Sequence, residues 1–196
     1  MISDLHPIVR AAAQGELPAW TEVKPERRAH MERVAHLLGT WAEFLAPAEV
    51  ERWRAAGFLH DVLRNAPAEK IRDDVPEQLR GLPDKLLHGP AAAARLRAEG
   101  VDDDALLHAI AYHTIGNAGL GDIGQALFVA DYIEPGRRYR LDELAALRER
   151  MPDRFDEVRQ EVLRQRITHQ LERGHVIRPE TLAFWNELAE STPRAP

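Results

Sequence analysis

The residues in this chain best able to do chemistry are histidines and aspartates set at helical spacing. His30, His60 and His113 each fall on the apolar stripe of a predicted helix, where a solvated surface histidine is not expected. Asp131 does the same, and a carboxylate facing a helical core is costly unless it is paired or coordinates a cation. Asp61 follows His60 directly. Neutral imidazole and carboxylate oxygen together suit a cation such as Fe, Mn, Co or Zn. Each residue alone has a plainer explanation: one inward His is more often a hydrogen-bonded core residue, and a His-Asp dipeptide arises readily by chance. The conjunction points to a metal. A His, a His-Asp pair and an Asp arrive from separate helices, as metal sites in helical cores require.

Other chemistries lack their residues. The chain has no cysteine, which removes disulfides, thiolate ligands and thiol nucleophiles and suits a cytoplasmic protein. The GNAGLG segment at 116–121 follows a helical stretch and lacks the Lys-Ser/Thr ending of a phosphate-cradling loop. Neither a G-x-S-x-G elbow nor an H-E-x-x-H pair is present.

Helices must position these groups, since no convincing alternating strand is found. From Pro25 to Leu45, His30, Val34, Leu37, Leu38, Trp41 and Leu45 recur at three- and four-residue steps. Pro47 opens a second helix in which Val50, Trp53, Gly57 and His60 share a face. A polar, proline-marked stretch at 65–83 reads as loop with at most one short helix. Pro90 opens an alanine-rich helix that Gly100 stops. Asp102 or Asp103 caps the next helix, carrying Leu106, Ile110 and His113, and 116–121 is a loop. Ile123, Leu127 and Asp131 mark a helix ended by Pro135-Gly136, and two or three more follow from 141 to 190. At 196 residues, with 44% hydrophobic and 30% charged residues, this is one all-α domain over 1–196 with its core at about 25–190. No apolar run reaches the roughly 18 residues of a membrane span, and the first residues do not read as a secretory leader. The net charge of −6 argues against nonspecific nucleic-acid binding but not against a local Arg cluster that holds a small anion.

These residues carry a resemblance. Arg27-x-x-His30, AGFLHD at 56–61, LHGP at 87–90, YHTIG at 112–116 and VADYIEPGR at 129–137 resemble the HD-domain superfamily of metal-dependent phosphohydrolases. Within it they are most similar to the YqeK family of bacterial symmetrical bis(5'-nucleosyl)-tetraphosphatases, with a weaker echo at Pro179-x-Thr181 and Asn186. The resemblance implies an HD-domain helical bundle with a metal site in its core. It also implies cleavage of diadenosine tetraphosphate and related dinucleoside polyphosphates into two nucleoside diphosphates. By the same resemblance His30, His60, Asp61 and Asp131 hold one or two metal ions, iron first and Mn, Co or Zn otherwise. Arg27, His88, His113, Thr114 and Arg137 then contact the nucleotide, and Asp61, His88, His113 and Arg64 serve catalysis, His88 or His113 as proton donor or second-metal ligand. Arg64 stands where the family usually has Lys; it keeps the charge but does not give up its proton. Ile115 replaces a usual Thr, and alanines replace a glycine-containing helix after HGP. The other histidines, His6, His36, His108, His169 and His175, read as structural or surface groups. A homodimer is compatible with this reading. The alternatives are another HD-type nucleotide phosphohydrolase or phosphodiesterase, and a non-catalytic nucleotide-binding module.

Overall fold

Pro25 supplies a preset φ at the first position of a helix, where its missing amide hydrogen costs nothing, and α2 runs from it over Pro25–Leu45. The computed structural model describes residues 5–191 of the chain; residues 1–4 and 192–196, the extremes of the two terminal segments, lie outside the described residues. Before α2 comes α1, Pro7–Ala13, and after it a 3-10 turn at Pro47–Glu49 leads into α3, Val50–Leu59. The polar stretch holds α4, Ala68–Ile71, and 3-10 turns at Arg72–Asp74, Glu77–Leu79 and Asp84–Leu86. Then follow α5 (His88–Ala98), α6 (Asp104–Tyr112), α7 (Asp122–Ile133), α8 (Leu141–Glu149), α9 (Phe155–Glu172) and α10 (Pro179–Ser191). Among the described residues there is no strand, and no helix is long and apolar enough to cross a membrane.

The core forms around α7, which is buried on nearly every side and packs against α2, α3, α6, α8 and α9. A helix apolar all round belongs at the centre of a bundle. Two glycines set the closest helix approaches. A Cβ on Gly57 would lie 2.4 Å from the Ala35 Cα, so α3 crosses α2 almost backbone to backbone. A Cβ on Gly89 would lie 2.8 Å from the Ile110 carbonyl oxygen, so the start of α5 meets the end of α6 equally closely. The first crossing brings His30 and His60 together, the second His88 and His113.

Two features differ from the sequence expectation. Helix α5 starts at His88 rather than Pro90, because Leu87 already has helical backbone angles and the preceding 3-10 turn runs straight into it. Pro90 is tolerated there because the first-turn amides have no intrahelical partner. His88 is therefore part of the helix's first turn. Helix α1 buries Val9, Ala12 and Ala13 in the same core, mainly against α3.

Asp103 caps α6, accepting from the Leu106 amide at 3.0 Å, and Arg52 of α3 grips the same carboxylate through two hydrogen bonds of 2.6 and 2.7 Å. Burial works against the Asp103 carboxylate, but Arg52 and the cap amides outweigh it and lower its pKa. A depressed carboxylate contributes stability above its unfolded pKa and loses it as pH falls through the folded value. Asp103→Ala should therefore cost about 1–2 kcal/mol at neutral pH. In urea unfolding, the gap between wild type and variant should narrow below about pH 4.

Candidate metal centre

The last carbonyls of a helix lack intrahelical partners, and the site uses them to orient imidazoles. His60, just past α3, donates its Nδ1–H to the Gly57 carbonyl at 2.8 Å. His113, just past α6, donates to the Ile110 carbonyl at 2.8 Å. His88 does the same to the Lys85 carbonyl at 3.1 Å. Because a carbonyl only accepts, Nδ1 carries the proton in each ring and Nε2 keeps a bare lone pair. His30 completes the set, with its Nδ1 3.2 Å from the Glu134 carboxylate. All four rings are buried. Their lone pairs face one another: the Nε2 atoms of His30 and His60 are 3.3 Å apart, and those of His88 and His113 are 3.2 Å apart.

Asp61 lies between the two pairs. Its Oδ2 is 3.4 Å from His60 Nε2 and 3.7 Å from His30 Nε2, while its Oδ1 is 3.0 Å from His88 Nε2 and 3.5 Å from His113 Nε2. Although that Oδ1 is fully buried, it has no well-aligned hydrogen-bond donor. Asp131 closes the first pair, its Oδ1 3.2 Å from His30 Nε2. Ligand atoms of His30, His60 and Asp131 lie within 4.8 Å of one another, as do those of His60, Asp61 and His113. Converging unprotonated nitrogens, an orphaned carboxylate oxygen and outward-facing N–H groups tied to acceptors are the features of a cation site, so the cluster could hold a metal ion.

The electrostatics agree. Burial lowers the pKa of His60 and of His88, keeping both neutral and available as ligands. Burial opposes the charge on Asp131, but His30 with Arg137 and Arg166 holds it well below the usual carboxylate range. His30 differs: burial works against its charge, yet Asp131 and Glu134 outweigh burial and raise its pKa.

The other sequence-predicted residues form the rim. Arg27 donates to Asp61 Oδ2 at 2.7 Å. Arg137 donates to Asp131 Oδ1 at 2.7 Å and also to the Asp131 carbonyl. Thr114 Oγ1 is 2.9 Å from His113 Nε2, and Arg64 reaches the Lys85 carbonyl beside His88 at 3.2 Å. Of the histidines read as structural, His6 caps α1, His36 is exposed, and His169 and His175 line a cleft beside the cluster.

Two charged residues were missed. Glu134 is buried and binds His30, Arg33 at 2.5 Å and the Gly136 amide at 2.6 Å, which together push its pKa down to about 2 against the pull of burial. Its signal was present, three residues after Asp131 inside VADYIEPGR. Arg166 of α9 donates to Asp131 Oδ2 at 3.1 Å and to the Thr114 carbonyl at 2.7 Å, with its guanidinium 4.3 Å from the Phe128 ring centroid. Nothing in the charge-rich sequence of α9 singles it out.

Comparison with known proteins agrees with this arrangement. The HD domain family profile matches residues 27–154, and the chain belongs to that family. It is 29% identical over 177 residues to a protein of Halalkalibacterium halodurans named symmetrical bis(5'-nucleosyl)-tetraphosphatase, covering 85% of this chain and 92% of that one. A protein of the same name from Staphylococcus aureus is 35% identical over 59% of this chain and 63% of its own length. A chain from Clostridium acetobutylicum, described as a predicted HD superfamily hydrolase involved in NAD metabolism, shares the fold with a TM-score of 0.75, at 22% identity over 94% of this chain and 96% of that one.

Glu134→Gln keeps the shape but removes the charge that faces His30 and Arg33. Outer partners of metal-binding histidines typically contribute about 10–100-fold to affinity. Titration with Mn2+ or Co2+ followed by calorimetry should show a loss in that range, with helical circular dichroism retained.

Proposed function

We propose that this chain hydrolyses diadenosine tetraphosphate and related dinucleoside polyphosphates symmetrically, giving two nucleoside diphosphates. The observation that carries the reading is the pair of lone-pair clusters sharing Asp61, ringed by Arg27, Arg64, Arg137 and Arg166. The curated relatives bear the name of that activity. The whole of 1–196 acts as one HD domain in the cytoplasm, which the cysteine-free composition suits. Its partner is the dinucleotide, with neither nucleic acid nor membrane involved, and a homodimer is compatible with this reading.

His30, His60, Asp61 and Asp131 would hold one ion, and His88 and His113 with the second oxygen of Asp61 would hold another, iron first, with Mn, Co or Zn able to substitute. When bound, such cations supply Lewis acidity that acidifies water and screens phosphoryl charge. The reaction needs in-line attack of a water oxygen on phosphorus. The bridging P–O bond breaks with its electron pair going to the departing diphosphate, and the two protons are shed to solvent and product. The arginines keep the tetraphosphate in place: Arg27 and Arg137 sit over the two aspartates, and Arg64 stands beside His88. As held here, His88 and His113 present lone pairs inward, so they serve better as ligands than as proton donors to the leaving group. Arg64, in place of Lys, then acts by neutralising phosphate charge.

The test is product analysis with diadenosine tetraphosphate and added Fe2+, Mn2+ or Co2+. Two equivalents of ADP are expected from wild type and none from His60→Ala or Asp61→Ala. Arg64→Lys should retain most of the rate, and Arg64→Ala should lose about 10–100-fold. ATP plus AMP as products, or no turnover, would overturn the reading.

A further inference from the structure

A cleft of about 1340 Å3 opens from Asp131 and Arg137 and runs along α9 to the loop joining α9 and α10. Pockets for a single small ligand span about 300–1000 Å3, so one nucleoside diphosphate would leave it partly empty. Seven Lys and Arg side chains line it against the carboxylates of Asp131 and Glu172, although the chain as a whole carries a net charge of −6. Most of the cations are engaged: Arg137 and Arg166 with Asp131, Arg140 with Glu143, and Arg164 with Glu161. Arg173 and Arg178, at the far end, have no side-chain partner among the described residues. Arg173 caps the C-terminus of α9 seven residues after Arg166, with helical backbone angles, so the two share a face at roughly 10 Å separation along the axis.

The loop carrying these two arginines is fixed in place. The Gly174 amide donates to the Leu171 carbonyl at 3.0 Å and the His175 amide to the Gln170 carbonyl at 2.9 Å, with Gly174 at φ 64°. That is the Schellman closure of α9. Beyond it, Thr181 Oγ1 donates to the Ile115 carbonyl at 2.7 Å, and Glu187 accepts from the Gly119 amide at 2.5 Å, which pins α10 against the loop that follows His113. Tyr139, half exposed on the cleft wall and 6.4 Å from the Tyr132 ring, offers an aromatic face. Nucleobases stack on such faces without regard to base identity.

We infer that this cleft is a second nucleotide subsite, in which Arg173 and Arg178 receive the distal diphosphate and Tyr139 its base. The inference rests on the dinucleoside tetraphosphatase reading and deepens it: a symmetric substrate needs room and charge for both halves, and the cluster with its rim accounts for one. Unpaired cations, Arg173 two turns beyond Arg166 and Arg178 in the loop after it, are placed for a second pair of phosphates rather than for the scissile linkage.

The test joins a binding count to kinetics. Calorimetry of Mn2+-loaded wild type with ADP should give two equivalents per chain. Arg173→Ala/Arg178→Ala should bind one, with KM for diadenosine tetraphosphate raised about tenfold and kcat nearly retained, as expected when binding is lost equally in ground and transition states. Arg173→Lys/Arg178→Lys should recover most of the KM. A single ADP equivalent in wild type, an unchanged KM in the alanine variant, or a loss confined to kcat would overturn the inference while leaving the hydrolase reading intact. If wild type does not turn over the dinucleotide at all, both fall.

Discussion

Four buried imidazole lone pairs cannot face one another and a carboxylate oxygen cheaply without positive charge among them. That constraint organises the molecule. His30, His60, His88 and His113 are packed with their N–H groups turned outward and their bare nitrogens inward, around Asp61. In an apolar core of alanine and leucine this arrangement is a local cost, and the surrounding structure offsets it. The two helix crossings at Gly57 and Gly89 hold the histidine pairs at contact distance, and the central burial of α7 carries Asp131 in from the opposite side.

The outer residues follow from the same constraint. Carbonyls left short of partners near the ends of α3 and α6 receive two of the imidazole protons, the Lys85 carbonyl receives a third, and Glu134, charged at neutral pH, receives the fourth. Arg33 and Arg137 in turn balance Glu134 and Asp131, so positive charge gathers at the mouth of the site even though the chain is acidic overall. The mouth is thereby matched to a polyanion, and α9 with the loop that follows it extends the matching charge away from the cluster.

Much of this could be read from the residues. His30, His60, His113 and Asp131 were legible because helical periodicity separates inward from outward positions, and a titratable group on the inward face stands out. The bounds of α2 followed from Pro25 and an unbroken apolar stripe. His88 was legible only by resemblance, since its helix begins with an uncapped Leu87 and leaves no start signal before Pro90. Glu134 sits just after a helix end, where polar residues are usually solvated, and only the fold reveals that Arg33 reaches it from α2. Arg166 was invisible for a different reason. Helix α9 is charged on most faces, and what distinguishes this arginine is its stacking on Phe128 and its bond to Asp131, both long-range contacts. Helix α1 is too short for periodicity to register, yet its small residues fit against α3.

The most direct test of the central claim is the number of divalent cations bound per chain, measured by elemental analysis after loading with Fe2+, Mn2+ or Co2+ and removal of the excess. Two are expected in wild type, because Asp61 offers one oxygen to each histidine pair, and fewer in Asp61→Asn with the helical fold preserved. A wild-type chain that retains none, or an Asp61→Asn chain that retains as many as wild type, would contradict it.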